Sequence, residues 1–398
     1  MGKLVNKMPI IKVPIARTNL TNDEINSVLS PLQTGWLVQG KHVEDFEKKW
    51  SAFTSSKNSI AVTSCTSALH MSLAALGFGP GDEALVPAFT WISTANVIEH
   101  LGGKVVFCDI DPTTFNLDVG KLKSKITPRT KAVLPVHLFG LAADMSPIIT
   151  LAQNFNLWVV EDAACGFGSL YQGKHVGTFG HAGCFSFHPR KAITTGEGGM
   201  ITTNNEDLTI KLRRLRDHGA NMSDLQRHLG PKPYLLPDHP DAGYNKRMTD
   251  IQAAIGSKQM DRAKDIVGER QRLAKNYDEA FKKLDWLITP TCPDGYEHSY
   301  QSYPCLFQPE KITTDNISFI NNARNIWMDK LFKAGVSTRP ATHAVHMLSY
   351  YKQKYKLQPI DFPNAWLAND CSVSLPLFHG MKDYEQDHVI NQILKIIP

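Results

Sequence analysis

Between residues 59 and 203 the chain alternates short apolar runs with helical stretches, and that rhythm leaves few possible folds. Ser59–Ser64 is short, apolar and partly β-branched. Ala68–Leu76 has helical composition and stops at Gly77, with Gly79-Pro80-Gly81 beyond it. Ala84–Phe89 then reads as a strand, Thr94–His100 as a helix and Lys104–Asp109 as a strand. Lys131–His137 and Leu157–Glu161 are further strands, separated by a helix around 146–155. Gly183–His188 and Gly199–Thr203 close the series as shorter strands. Strands separated by helices pair by crossover, so the expected architecture is α/β: a large, mostly parallel sheet covered on both faces.

The flanks are less regular. Thr21 followed by Glu24 forms a capping box, and that helix is expected to end before Pro31. A Gly35-Trp36…Gly40 turn precedes a polar helix through Glu44–Trp50. Residues 204–217 are charged and helical. The stretch 219–243 carries Pro231, Pro233, Pro237 and Pro240 and reads as a long loop, a feature often tied to function. One long helix is expected over about Asp250–Leu284, and a final helix over Tyr384–Ile397. At roughly 100–200 residues per domain, the 398 residues suit two domains. These are a large one over 1–260 and a smaller α+β domain over 261–398.

Composition excludes several classes. The 43 Lys+Arg against 38 Asp+Glu leave a net +5, and no basic block of five or more appears, so a nucleic-acid partner is not expected. No run of 18 apolar residues predicts a membrane span, and the amino-terminal MGKLVNKMPIIKVPIA has no apolar core for a signal peptide. The 7 cysteines are odd in number and none shows CxxC spacing. That argues against a disulfide framework or a structural metal, and for a reducing cytoplasm.

In open α/β sheets, ligands bind at the carboxyl ends of the strands. Four such ends carry unusual residues. Thr63-Ser64-Cys65-Thr66-Ser67 joins a strand to a helix, whose free N–H groups suit a phosphate, although Ser and Thr there also serve as ordinary caps. Glu161-Asp162 ends an apolar strand; a carboxylate so placed holds a cationic ring nitrogen or a metal, or caps the next helix. Lys191 lies between the aromatic run Phe185-Ser186-Phe187 and the turn Thr195-Gly196-Glu197-Gly198-Gly199. Partial burial there would lower its pKa and make the amine nucleophilic; a solvated surface lysine is the plainer reading. Trp91 lies just past a strand end, where its ring would stack on a planar cofactor or simply fill the core. Each signal is weak alone. Together they supply a phosphate cradle, a carboxylate, an aromatic plate and an amine, the parts that pyridoxal 5'-phosphate (PLP) needs.

The chain resembles the DegT/DnrJ/EryC1/StrS family of PLP-dependent sugar aminotransferases. The likeness runs through TSCTSALHMSLAALGFGPGDEALVPAFTW, FCDIDPTTFNLD, PVHLFG, VVEDAACGFG and FSFHPRKAITTGEGGM, then GYNKRMTDIQAAIG, RPATHAVH and SLPL, in family order. It implies the fold-type I, aspartate-aminotransferase-like architecture. It also implies a role for each matching residue. Lys191 would carry the cofactor covalently and shuttle protons, and Asp162 would hold the protonated ring nitrogen. Trp91 would stack on the ring, while Thr66, Ser67 and Ser186 would bind the phosphate. Asn245 would reach the phosphate of the neighbouring subunit, so a homodimer with shared sites is expected.

Three positions depart from the family pattern. Cys65 replaces a usual Gly, Cys165 replaces a common Gln, His or Glu facing the cofactor hydroxyl, and Ala344 replaces a frequent Pro. Lys191 is present where a dehydrating branch carries His, so transamination is expected, and His188 is read as structural. The amino donor implied is L-glutamate, cycling PLP to pyridoxamine phosphate (PMP). The acceptor implied is a nucleotide-linked 4-keto-6-deoxy sugar, as in enzymes of the GDP-perosamine synthase type, which serve O-antigen and similar glycans. On the substrate side, Arg247, Arg339, His343 and His346 are candidates, and the 219–243 loop is expected at the same opening. A 3-keto sugar or a cyclitol is the alternative acceptor. A regulatory protein that keeps the fold without catalysis is the alternative class.

Overall fold

The computed structural model describes residues 12–398. Residues 1–11, which hold most of the stretch weighed above as a signal peptide, lie outside it. Seven strands form the main sheet: β1 (Asn58–Val62), β2 (Glu83–Pro87), β3 (Lys104–Cys108), β4 (Thr130–Val133), β5 (Trp158–Asp162), β6 (Ala182–Ser186) and β7 (Gly199–Thr203). Their order is β1-β7-β6-β5-β4-β2-β3. Strands β6, β5, β4, β2 and β3 pair in parallel. Only β7 runs against its neighbours, pairing antiparallel with both β1 and β6.

Residue alternation along these strands divides the interior in two. Ile60, Val62, Ala84, Val86, Val160, Cys184 and Ile201 face one core. Ala61, Leu85, Val133, Val159, Phe185 and Met200 face the other. The helices Cys65–Leu76, Ser93–His100 and Glu206–Arg216 cover the first face, and Lys41–Thr54, Met145–Phe155 and Asp250–Met260 cover the second. Trp50 is fully buried in the second core, with Phe185 and Phe187 edge-on at 5.0 Å.

A third core lies in the carboxyl-terminal part, around a three-stranded sheet of Leu287–Ile288, Tyr303–Phe307 and Ser372–Leu375. Tyr277 and Phe281 of the preceding helix, with Trp327, Leu331 and Val389, fill it. Two short ladders, outside the main sheet, stitch this part to the rest of the chain. His343-Ala344 pairs with Phe89-Thr90 just beyond β2, and Tyr296-Glu297 pairs with Leu170-Tyr171.

One helical expectation is corrected. The long helix expected over 250–284 is two, Asp250–Met260 and Ala263–Phe281. No Gly or Pro marks the break. Its cause is tertiary: Arg262 is drawn aside by Glu24 (2.6 Å), the Asn19 carbonyl (2.8 Å) and His379 (2.7 Å), while Lys49 holds Asp261 at 2.7 Å. The Thr21–Glu24 capping box is present and its helix ends at Ser27, before Pro31 as expected; a second turn, Leu29–Thr34, then contains Pro31. Proline is tolerated there because first-turn N–H groups lack helical partners anyway. The 219–243 stretch is largely irregular and includes one short helix, Asp224–Leu229.

Candidate active site

The carboxyl ends of five strands open into one cavity of about 570 Å³. After β1 come Ser64, Cys65 and Thr66; after β2, Thr90, Trp91 and Ser93; after β4, Leu138 and Phe139. Asp162 ends β5 and is followed by Cys165, and Ser186 ends β6 and is followed by His188, Arg190 and Lys191. The carboxyl-terminal part closes the far side with Gln301, Arg339 and His343.

Asp162 forms the floor and is 4% exposed. It accepts from the Thr94 hydroxyl at 2.6 Å and from the Ala164 N–H at 3.1 Å. Among the described residues, no cation lies within ion-pair distance of it. A buried carboxylate with hydrogen bonds but no counter-charge suits a protonated ring nitrogen. Its backbone is held on both sides, the N–H donating to Pro135 at 2.8 Å and the carbonyl accepting from His137 at 3.0 Å. Next to it, Glu161 points to the opposite side of the sheet. It accepts from His137 Nε2 (2.9 Å) and from the N–H groups of Gly177, Phe179 and Gly180 (2.6–2.8 Å). Burial would raise its pKa, but these donors reverse that and hold it below the usual range.

The helix Cys65–Leu76 aims its amino terminus at the cavity. Ser64 caps it, accepting from Ser67 N–H at 3.1 Å. Thr66 reaches the wall and donates to Ser93 at 3.0 Å. The close approach of β7 to this terminus requires Gly199, where an added Cβ would stand 2.4 Å from the Ser64 carbonyl carbon and 2.7 Å from the Cys65 nitrogen. Trp91 is not a core residue: it is 54% exposed, at the cavity wall, 5.7 Å from the His343 ring.

Lys191 Nζ donates to Cys165 Sγ at 3.1 Å. The lowered pKa expected from burial is corrected. Burial does push it down, but Cys165, Cys65 and Asp162 more than reverse this, and the net shift is upward. Cys65 is itself buried, 3.4 Å from the Cys184 carbonyl, and burial pushes its thiol far up. Burial and Arg190 push the His188 pKa down, and its Nδ1 accepts from the Arg190 N–H at 3.2 Å.

Several expected residues lie elsewhere. Ser67 engages its hydroxyl with Thr63 (2.9 Å) and Ser64 (3.1 Å) and does not itself line the cavity, whereas Ser64 and Thr66 do. Arg247 is ion-paired with Asp217 and does not line the cavity. His346 is fully buried against Phe362, with Nε2 3.3 Å from the Pro359 carbonyl, so it serves packing and not the substrate side. Asn245 is exposed and outside this chain's own cavity. The 219–243 loop contributes nothing to the main cavity; residues 220–226 border a separate one of about 260 Å³. Conversely, sequence reasoning missed Thr94, Ser93, Arg190 and Gln301. The Ser-Thr pair opening the helix after Trp91 was a usable signal; Gln301, in a distant loop, offered none.

The donor set fits PLP: a buried carboxylate with no cation at ion-pair distance among the described residues, a helix amino terminus, an exposed indole and the Lys191 amine, all on a cavity large enough for cofactor and substrate. Among the described residues no His, Cys, Asp or Glu cluster suits a metal, and no helix is long and apolar enough to cross a membrane.

Comparison with known proteins agrees with this geometry. Residues 18–394 match the model of the DegT/DnrJ/EryC1/StrS aminotransferase family. The spore coat polysaccharide biosynthesis protein SpsC of Bacillus subtilis is 37% identical over 385 residues, 97% of each chain. The GDP-perosamine synthase of Caulobacter vibrioides is 36% identical over 388 residues, 97% of this chain and 98% of that one. Spr1654 of Streptococcus pneumoniae, solved in a PMP form, superposes with a TM-score of 0.88 at 26% identity, covering 96% of this chain and 98% of that one. Its PLP form gives 0.87. Fold, cavity and relatives converge: the chain belongs to the DegT/DnrJ/EryC1/StrS aminotransferase family and is a PLP-dependent sugar aminotransferase of fold-type I.

Proposed function

We propose that this chain moves an amino group from L-glutamate to a nucleotide-linked 4-keto-6-deoxy sugar, making an amino sugar for O-antigen or a similar surface glycan. The observation that carries the transfer chemistry is the meeting of Lys191, Asp162, Trp91 and the Ser64–Thr66 helix terminus on one cavity. PLP, when bound, supplies a ring that accepts electrons while an amino group leaves one carbon for another. Asp162 holds a proton on the ring nitrogen, which makes that acceptance possible. The helix terminus binds the phosphate through Ser64 and Thr66 with its dipole. Trp91 covers one face of the ring and limits water. Lys191 Nζ holds the cofactor at rest and, once released, carries a proton between the substrate carbon and the cofactor.

The acceptor class is supported by the relative named for GDP-perosamine synthesis and by the two arginines, Arg190 and Arg339, that line the cavity and suit a diphosphate. A cytoplasmic homodimer with shared sites completes the reading. Asn245 is exposed outside its own cavity, and Tyr234 and Leu236 of the nearby loop are 75% and 85% exposed, as interface residues seen in a lone chain would be. The test is a panel of GDP-, UDP- and dTDP-linked keto sugars with L-glutamate, read by mass detection of the amino product. Conversion of a 4-keto-6-deoxy sugar is expected. Conversion only of a 3-keto sugar or a cyclitol, or no bleaching of the yellow protein by glutamate, would overturn it.

A further inference from the structure

The partner of the Lys191 amine is a thiol. Lys191 Nζ and Cys165 Sγ are 3.1 Å apart, both side chains line the cavity, and Cys165 is only half-buried. Among the described residues, this is the one hydrogen bond the amine makes. The pair therefore faces the space into which a cofactor aldehyde must come.

An ammonium cannot attack an aldehyde; it must first lose a proton. The surroundings hold that proton on. Asp162 and Cys65 face the amine from the floor, and with Cys165 they outweigh its burial. His188, Arg190 and Glu197 border the same wall. From the other side, the buried guanidinium of Arg270 lies within electrostatic reach of the Cys165 sulfur. Lys191 and Arg270 thus place two cations about the Cys165 sulfur.

We propose that Cys165 is the proton relay for making and breaking the bond between Lys191 and its cofactor. The Cys165 thiolate takes a proton from the Lys191 ammonium, and the freed amine forms an N–C bond to the aldehyde carbon. The C–O bond then breaks as the thiol protonates the departing oxygen. Both protons of the released water come from the Lys191 nitrogen, and the thiolate is regenerated. Nothing is oxidised or reduced. The inference rests on the reading of Lys191 as the amine that holds the cofactor.

The test follows the rate at which apoprotein mixed with PLP gains the visible absorbance of the C=N bond, across neutral pH. Cys165→Ala and Cys165→Ser should load the same final amount of cofactor, but roughly 10²-fold more slowly. Serine keeps a hydrogen-bonding hydroxyl and lacks the acidity, so it separates proton relay from packing. Cys165→His restores a titratable group and should recover the rate with a shifted pH profile. A second measurement needs no cofactor: alkylation of Cys165 by iodoacetamide, read by mass spectrometry of its peptide. Lys191→Ala should slow it by about tenfold near neutral pH. Loading by the Ala and Ser variants at the wild-type rate, equal slowing in Ala, Ser and His, or alkylation indifferent to Lys191→Ala would each overturn the relay alone. A wild-type chain that gains no such absorbance would overturn the Lys191 reading and this one with it.

Discussion

Asp162 and Lys191 show how a role depends on what surrounds a side chain. Asp162 has the Thr94 hydroxyl, the Ala164 N–H and, at 3.9 Å, the Cys65 thiol for company and, among the described residues, no cation within ion-pair distance, so its charge stays available to a ligand. Asp162→Asn keeps the shape and removes the charge. A drop in kcat of roughly 10²–10³-fold is expected, the usual effect of removing one preorganised electrostatic partner. Thermal unfolding should move little in comparison. A kcat within a few-fold of wild type would sink the assignment. Lys191→Ala should abolish turnover and the cofactor's bound absorbance together, and retention of both would refute its role. These two residues were legible because each follows an apolar run that could only be a strand. Ser67, Arg247 and His346 were not. Which of two adjacent hydroxyls faces a cavity depends on a helix's rotation, and whether an arginine is free depends on a partner 30 residues away, as Asp217 is from Arg247. No local pattern encodes either.

At the scale of elements, the alternation of apolar runs and helices placed every strand of the main sheet to within a few residues. It did not show the strand order, nor that β7 runs antiparallel, because both follow from packing between distant segments. That antiparallel strand matters to the site. It brings Gly199 against the Ser64-Cys65 turn, so the phosphate-facing helix terminus is positioned by a strand nearly 140 residues later. Gly199→Ala puts a methyl group 2.4 Å from a backbone carbon that cannot yield cheaply. The expected result is a folded protein with PLP affinity weakened by about tenfold or more, a cost of roughly 1–3 kcal/mol from overpacking. Titration of apoprotein with PLP checks it, and unchanged affinity would show that the terminus tolerates the shift. The broken helix at Asp261-Arg262 teaches the same lesson from the other side. No Gly or Pro marks it in the sequence, and the grip of Glu24, Asn19 and His379 on Arg262 comes from distant segments.

Two consequences belong to the whole molecule. The first is acid sensitivity. Burial depresses His175 from its usual 6.5 to about 4, and its ring is locked neutral: Nδ1 donates to the Val176 carbonyl at 2.6 Å, while Nε2 accepts from Gly168 N–H at 3.0 Å. His298 is depressed to about 3 by burial, and its Nδ1 accepts from Tyr300 N–H at 2.9 Å. Below pH 6.5 the unfolded chain binds protons that the folded chain refuses, so stability falls as pH falls from there toward the folded values. The unfolding temperature should therefore drop between neutrality and mild acid, and His175→Asn should flatten that slope even though it lowers the plateau. A slope identical in the variant would remove His175 from the account. The second consequence concerns completeness. The cavity of one chain contains Lys191 but not Asn245, which lies exposed outside it. If Asn245 serves the partner's phosphate, Lys191→Ala and Asn245→Ala damage the same site only when both lesions meet there. In a mixed dimer, one site receives both lesions and the other receives neither. Equal amounts of the two variants, unfolded and refolded together, should then recover up to about a quarter of wild-type activity, since random pairing makes half the dimers mixed with one intact site each. Each variant refolded alone should stay at its own low level. Recovery no greater than the mean of the two separate activities would mean that each chain completes its own site, and that the exposed Asn245 has another use.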